Sequence, residues 1–239
     1  GILLSMGVEI DPSSRNQLSN YGESQHPQKR VSCVTKTGWL DGNFVLPGEV
    51  IGKDRDSIIF QSNTGFFDEY SQGGTFDGWQ ELSRLAEGNP LLILALSAAF
   101  SGPMLDLCGV DGGGSHLFGD SSTGKTTLLD VARSVWGGKS YRRSWRATAN
   151  GLEGAAALFN DNLLCLDEVS ECDPHEVSGV VYSISNGIGK QRADRGGGAR
   201  SVMRWKCFIL STGERTIETS IREGGRAAKA GQSVRLLDI

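Results

Sequence analysis

The chain has 239 residues, 38% of them hydrophobic and 22% charged, with a net charge of −4. Such a balance suits a globular protein with a buried core, and it excludes a general attraction to nucleic acid, so binding of that kind needs a local patch. Five cysteines, odd in number and without C-x-x-C spacing, argue against a disulfide framework and lead us to expect buried thiols in a reducing cytoplasm.

Residues 1–88 are expected to form a β-rich accessory region. Short strand-like runs at 31–34, 44–46 and 57–61 alternate with turn chemistry such as Asp41-Gly42-Asn43 and Pro47-Gly48. A helix over 76–87 ends at Gly88-Asn89-Pro90, and Pro90 opens an apolar helix to about Phe100. That run is shorter than the roughly 20 residues a bilayer span needs, so a buried helix and no membrane are expected. Residues 89–239 then read as an α/β core with a parallel sheet. Strands are expected at 115–119, 144–148, 163–166 and 205–211, and helices at 125–136 and 152–159. The abrupt, apolar end at Leu236–Ile239 leads us to expect a fragment of a longer protein.

The strongest motif is Gly119-Asp120-Ser121-Ser122-Thr123-Gly124-Lys125-Thr126, followed by Thr127, which fits G-x-x-x-x-G-K-[ST] at every fixed position. Glycines allow the backbone to point its N–H groups at phosphate oxygens, and the helix opening at Lys125 adds its positive end. Lys125 is expected to reach the β- and γ-phosphates of ATP, and the Thr126 hydroxyl to complete a Mg²⁺ shell. A chance match in a glycine-rich loop is the bland alternative, but the flanking strand and amphipathic helix are the context a phosphate loop requires.

Four apolar residues before Asp167-Glu168 place two acids at the carboxyl edge of a strand, where ligands of parallel sheets bind. Asp167 is expected to hold the metal, and Glu168 to activate the attacking water. A third apolar strand ends in Ser211-Thr212, either of which could sense the γ-phosphate; a plain strand exit is the alternative.

Two basic runs suit single-stranded nucleic acid. Residues 190–206 carry Lys190, Arg192, Arg195, Arg200, Arg204 and Lys206. Residues 139–146 carry Lys139, Arg142, Arg143 and Arg146, interleaved with Tyr141 and Trp145 for base stacking. Arg192, Arg195 or Arg235 could instead serve as an arginine finger reaching a neighbouring subunit, and a solvated charged loop is the bland reading.

These blocks together resemble the domain-of-unknown-function family numbered 927 (DUF927), found in phage, plasmid and other mobile-element proteins. The resemblance rests on GDSSTGKTT at 119–127, WRATANGLEGAA at 145–156, residues 163–168, NGIGKQR at 186–192, STGE at 211–214 and AGQSVRLLD at 230–238. Gly38-Trp39 with Phe44-Val45-Leu46-Pro47 resembles its amino-terminal half. The resemblance implies a P-loop NTPase core of the additional-strand, catalytic-glutamate type (RecA/AAA+-like). It further implies a helicase-like ATPase in a homo-oligomeric ring, a primase module in the parent protein, and continuation of the chain beyond the last block.

The expected function is therefore an ATP-driven helicase or translocase in mobile-element replication. The alternative is an ATP-driven switch or clamp that remodels protein partners without moving on nucleic acid. A small-molecule kinase is disfavoured by the Asp167-Glu168 pair, and a GTPase by the lack of an Asn-Lys-x-Asp motif.

Overall fold

The computed structural model describes residues 15–26, 30–61, 69–191, 202–227 and 235–239. Two compact units divide between Ser32 and Cys33. The first contributes helix α1 (Arg15–Ser24); the second holds the remaining elements, with β1 straddling the division. The β-rich stretch from Cys33 onward and the α/β part both fall in the second unit.

Strand β1 (Ser32–Val34) pairs with β5 (Ile58–Phe60), while β2 (Gly38–Leu40), β3 (Asn43–Leu46) and β4 (Glu49–Ile51) form an antiparallel sheet. Asp41 and Gly42 both adopt positive φ between β2 and β3, as a tight hairpin turn demands. The sheet is fastened to the α/β part by the Trp39 indole N–H, which donates to the Pro103 carbonyl at 2.8 Å. Thr37 adds a 2.6 Å bond to the Leu158 carbonyl.

Helix α2 (Phe76–Arg84) starts on Thr75, whose hydroxyl accepts the Gly78 N–H. Helix α3 (Pro90–Leu107) starts on Asn89, with Pro90 in the first turn. It runs seven residues past the expected end at Phe100, through Pro103. A proline inside a helix frees the carbonyl four residues earlier, here that of Ala99. The Trp136 indole N–H fills that gap at 2.8 Å, so tertiary contact repairs what local sequence breaks.

By length and composition alone, α3 could cross a membrane. Its Ala95, Ala98, Ala99, Gly102 and Leu105 face the core. A Cβ on Gly102 would lie 2.4 Å from the Asn162 backbone, so only glycine lets the helix sit this close to the sheet. The helix expected to be buried is buried only in part: Leu91, Ile93, Phe100 and Met104 are exposed along it.

Beyond α3 the chain alternates: β6 (Gly113–Phe118), α4 (Lys125–Arg133), β7 (Arg143–Ser144), α5 (Ala149–Leu158), β8 (Asn162–Asp167), α6 (Pro174–Asn186), β9 (Cys207–Gly213), α7 (Ile217–Glu223) and β10 (Leu236–Asp238). The strands form one parallel sheet in the order β10-β6-β9-β8-β7. The class is mixed α/β. Helices α3 and α4 pack together and onto β8 and β9, while α5, α6 and α7 pack in succession, α6 reaching β6. Residues 162–166 of β8 are all buried, which requires cover on both faces of the sheet.

Strand β7 is two residues long rather than the five expected. Ser144 Oγ accepts the Arg146 N–H in a local turn, and Thr148 already caps α5 by accepting from Gly151, so the chain leaves the sheet early. Helix α6 was not among the expected elements, although Asp173-Pro174 at its start and Gly187 at its left-handed end are ordinary boundary signals.

Candidate functional site

The sheet register brings the motifs together. Leu117 lies opposite Thr212 and Phe118 opposite Gly213, while Leu166 lies opposite Ser211. The carboxyl ends of β6, β9 and β8 therefore stand side by side, and the Gly119 N–H donates to the Gly213 carbonyl at 3.3 Å. From Gly119 the chain turns through Ser122 (φ 63°) and Gly124 (φ 90°) before entering α4. Gly124 holds the left-handed conformation with no steric cost, which lets α4 begin at Lys125 with its first N–H groups facing the turn.

Lys125 Nζ lies over this turn, donating to the carbonyls of Gly119 (2.7 Å) and Asp120 (2.6 Å). Thr123 Oγ1 adds a 2.8 Å bond to the Asp120 carbonyl. Asp120, Ser121, Ser122, Thr123, Gly124, Thr126 and Thr127 are exposed, so the loop's surface is open to a ligand.

Thr126 Oγ1 lies 3.5 Å from Asp167 Oδ1. The same carboxylate oxygen accepts a 2.7 Å bond from Thr212 Oγ1. Thr212 in turn accepts the Glu168 N–H at 3.1 Å. Glu168 adopts φ 58°, a left-handed conformation that costs a non-glycine residue about 1–2 kcal/mol. Its carboxylate accepts from the Ser170 hydroxyl (2.7 Å) and N–H (3.3 Å).

One residue enters the site unannounced. Arg142 reaches Asp167 Oδ2 at 3.5 Å and Asp130 Oδ1 at 3.3 Å, bridging β8 to α4. The sequence showed it only as a member of a basic run. That run needs correcting as a nucleic-acid surface. Tyr141 and Trp145 are fully buried, so neither can stack on a base. Tyr141 donates to the Leu163 carbonyl, and Arg143 is paired with Glu69. Lys139 and Arg146 remain exposed.

Ser211 also departs from expectation. It is fully buried, where its hydroxyl meets the Trp145 indole N–H at 2.9 Å and His116 Nδ1 at 2.9 Å. Of the two hydroxyls at the end of β9, Thr212 alone meets Asp167 among the described residues. Burial holds the His116 imidazole below its ordinary pKa, partly offset by the Arg215 carbonyl that accepts a hydrogen bond from its Nε2–H. Burial also pushes the Cys172 thiol up to about 11, and those of Cys165 and Cys207 up as well.

Arg192 and Arg195 lie outside the described residues. Arg235 stands at the amino-terminal end of β10, beside Gly114, and its guanidinium covers the Tyr182 ring at 5.3 Å. That is the sheet edge opposite the glycine loop. Residues 187–189 and 203–205 form a paired stem, with the Gly189 N–H donating to the Met203 carbonyl and the Trp205 N–H to that of Gly187. Fully buried Glu153 supports it, accepting the Lys190 N–H at 3.3 Å and the Ser183 hydroxyl at 2.8 Å.

Among the described residues, no cluster of three or more His, Cys, Asp or Glu could hold a metal. The hard oxygens Thr126 Oγ1 and Asp167 Oδ1 do fit magnesium, which binds through one or two protein groups, with water and phosphate completing its shell.

No curated protein matches this sequence. Similar solved structures include NtrX from Brucella abortus in complex with ATP: 15% identity and a TM-score of 0.35, over 68% of this chain and 39% of that one. A second NtrX structure from Brucella abortus gives 12% identity and a TM-score of 0.35, over 72% and 38%. The chain thus spans about two-fifths of the length of those proteins. The profile of a family described as "Domain of unknown function (DUF927)" matches residues 1–204, most of the sequence, and the chain belongs to that family.

Proposed function

We propose that this chain binds and hydrolyses ATP at the 119–127 loop, and that hydrolysis drives a helicase-like motor on single-stranded nucleic acid in mobile-element replication. The carrying observation is the convergence of Thr126, Asp167 and Thr212 beside a glycine turn that holds the Lys125 ammonium. Strand β9 lies between the loop strand β6 and the acid-tipped strand β8, which supports the additional-strand, catalytic-glutamate class.

In this reading the backbone N–H groups of the loop and Lys125 grip the β- and γ-phosphates. Thr126 and Asp167 hold Mg²⁺, which when bound neutralises charge on those phosphate oxygens. Glu168 takes a proton from the attacking water, and leaves Ser170 to do so. Thr212 fixes both acids by bonding the side chain of one and the backbone of the other. Nucleic acid is met by the basic 190–206 segment on its Glu153-braced stem, not by residues 139–146. In a ring of subunits, Arg192, Arg195 or Arg235 supplies the finger to a neighbour's γ-phosphate.

The test is ATP hydrolysis by the parent protein and by Glu168→Gln, with and without single-stranded DNA. Hydrolysis stimulated by DNA and abolished in the variant is the expected result. Unchanged hydrolysis in Glu168→Gln refutes the assignment of the base. Hydrolysis indifferent to DNA and RNA, with no nucleic-acid affinity, replaces the motor with a switch that remodels protein partners.

A further inference from the structure

Helix α4 presents more than its amino terminus to a nucleotide. Thr127, Val131 and Ser134 recur at i, i+4 and i+7, which sets them in one row along the helix. With Trp79 of α2, Leu85 just beyond it and Leu92 of α3, they border a cavity of about 200 Å³. Thr127 belongs both to the phosphate loop and to this cavity wall. The volume lies below the ~300–1,000 Å³ that encloses a drug-sized ligand, and suits one ring system.

The wall is largely apolar, and two of its three hydroxyls, those of Ser83 and Ser134, are engaged elsewhere. Ser83 Oγ donates to the Gln80 carbonyl at 2.8 Å. Ser134 Oγ donates to the Val131 carbonyl at 2.6 Å and accepts the Trp79 indole N–H at 3.3 Å. Trp79 is itself set edge-on to Phe100, with centroids 6.3 Å apart. A planar ring entering here meets aliphatic carbon and an indole.

We propose that this cavity receives the base of the bound nucleotide and holds it by shape and apolar contact, so that adenine and guanine are accepted alike. The proposal rests on the phosphate-loop reading, because a nucleoside joined to an α-phosphate at the start of α4 must leave past Thr127. Recognition without hydrogen bonds carries a consequence. A site built to hydrogen-bond its substrate rejects the wrong analogue by about 10⁴–10⁵, whereas an apolar slot has no such means.

The experiment titrates magnesium complexes of ATP, GTP and inorganic tripolyphosphate onto the protein by calorimetry. Two variants accompany it: Val131→Phe, which fills the slot, and Leu85→Asp at an exposed position of its wall. ATP and GTP are expected to bind within about tenfold of one another, and each at least about tenfold more tightly than tripolyphosphate. Both variants are expected to remove that excess and leave tripolyphosphate binding unchanged. If Val131→Phe also loses tripolyphosphate through misfolding, Leu85→Asp decides the matter. The proposal is overturned if the variants keep the full preference for ATP over tripolyphosphate, or if ATP exceeds GTP by more than about a hundredfold. Tripolyphosphate binding as tight as ATP binding overturns the slot alone. Binding of neither overturns the loop reading with it.

Discussion

The Thr212 hydroxyl donates to Asp167 Oδ1 at 2.7 Å, and its oxygen accepts the Glu168 N–H at 3.1 Å. One buried hydroxyl on β9 thus fixes a side chain and a backbone amide on the neighbouring strand, binding two consecutive acids into a single geometry. Thr212 can act without touching substrate, as a positioning residue. Removing such a support commonly costs about 10–100-fold in activity or metal affinity. Thr212→Val is expected to lower single-turnover hydrolysis by about that much while changing nucleotide affinity little, and Thr212→Ser to restore it. An undiminished rate in Thr212→Val would show that the hydroxyl does not position the two acids.

Glu168 offers a test of backbone strain that is independent of catalysis. Its φ of 58° favours glycine, and left-handed geometry costs other residues about 1–2 kcal/mol. Glycine normally destabilises a fold relative to alanine. Here the order is expected to reverse, with Glu168→Gly more stable than Glu168→Ala by about 1 kcal/mol in urea unfolding, and both inactive. If the alanine variant is the more stable, the strain is not real.

Arg142 places a guanidinium against the carboxylate assigned to the metal. The pair is partly exposed, so its direct worth to stability is about 0–1 kcal/mol. Its charge, however, competes with a divalent cation for Asp167. Arg142→Met is expected to lower the magnesium concentration that half-saturates ATP binding several-fold, by relieving that competition. A rise in required magnesium would show instead that Arg142 grips phosphate.

How much of this was legible follows from how local each feature is. The loop, the Asp167-Glu168 pair and the hydroxyls ending β9 are patterns within eight consecutive residues, so the sequence picks them out, but it does not tell which of Ser211 and Thr212 meets Asp167. Arg142 meets Asp167 because β7 pairs in parallel with β8, Ser144 lying opposite Asp167. No pattern within residues 139–146 encodes that register, so a core-bound stretch looked like a charged face. The same holds for α3, whose passage through Pro103 depends on an indole 33 residues away along the chain. The start and stop of α6 were present in Asp173-Pro174 and Gly187; only its weaker apolar period hid it.

Ser211 belongs to the fold rather than to phosphate sensing. Ser211→Ala strands the Trp145 N–H and His116 Nδ1 in a dry interior, and an unsatisfied buried polar group costs about 1–3 kcal/mol. The expected outcome is a lowered unfolding free energy with nucleotide affinity retained. A stable variant that has lost nucleotide response would return Ser211 to the site.

His116 completes that chain of hydrogen bonds and gives it a pH dependence. The Arg215 carbonyl can only accept, so Nε2 carries the proton; Nδ1 accepts from Ser211, which accepts from Trp145. This arrangement needs a neutral ring, and burial depresses its pKa below the ordinary 6.5. Between the folded and unfolded values the unfolded chain binds more protons, so stability rises with pH across that window. The contribution is fully present above about 6.5 and is lost as pH falls towards the depressed value. Urea midpoints measured from pH 7.5 down to 5 are expected to fall below about 6.5, and His116→Gln to flatten that fall. A parent protein whose midpoint does not change through this range would mean that His116 titrates alike in both states, and that the ring is not held neutral by its surroundings.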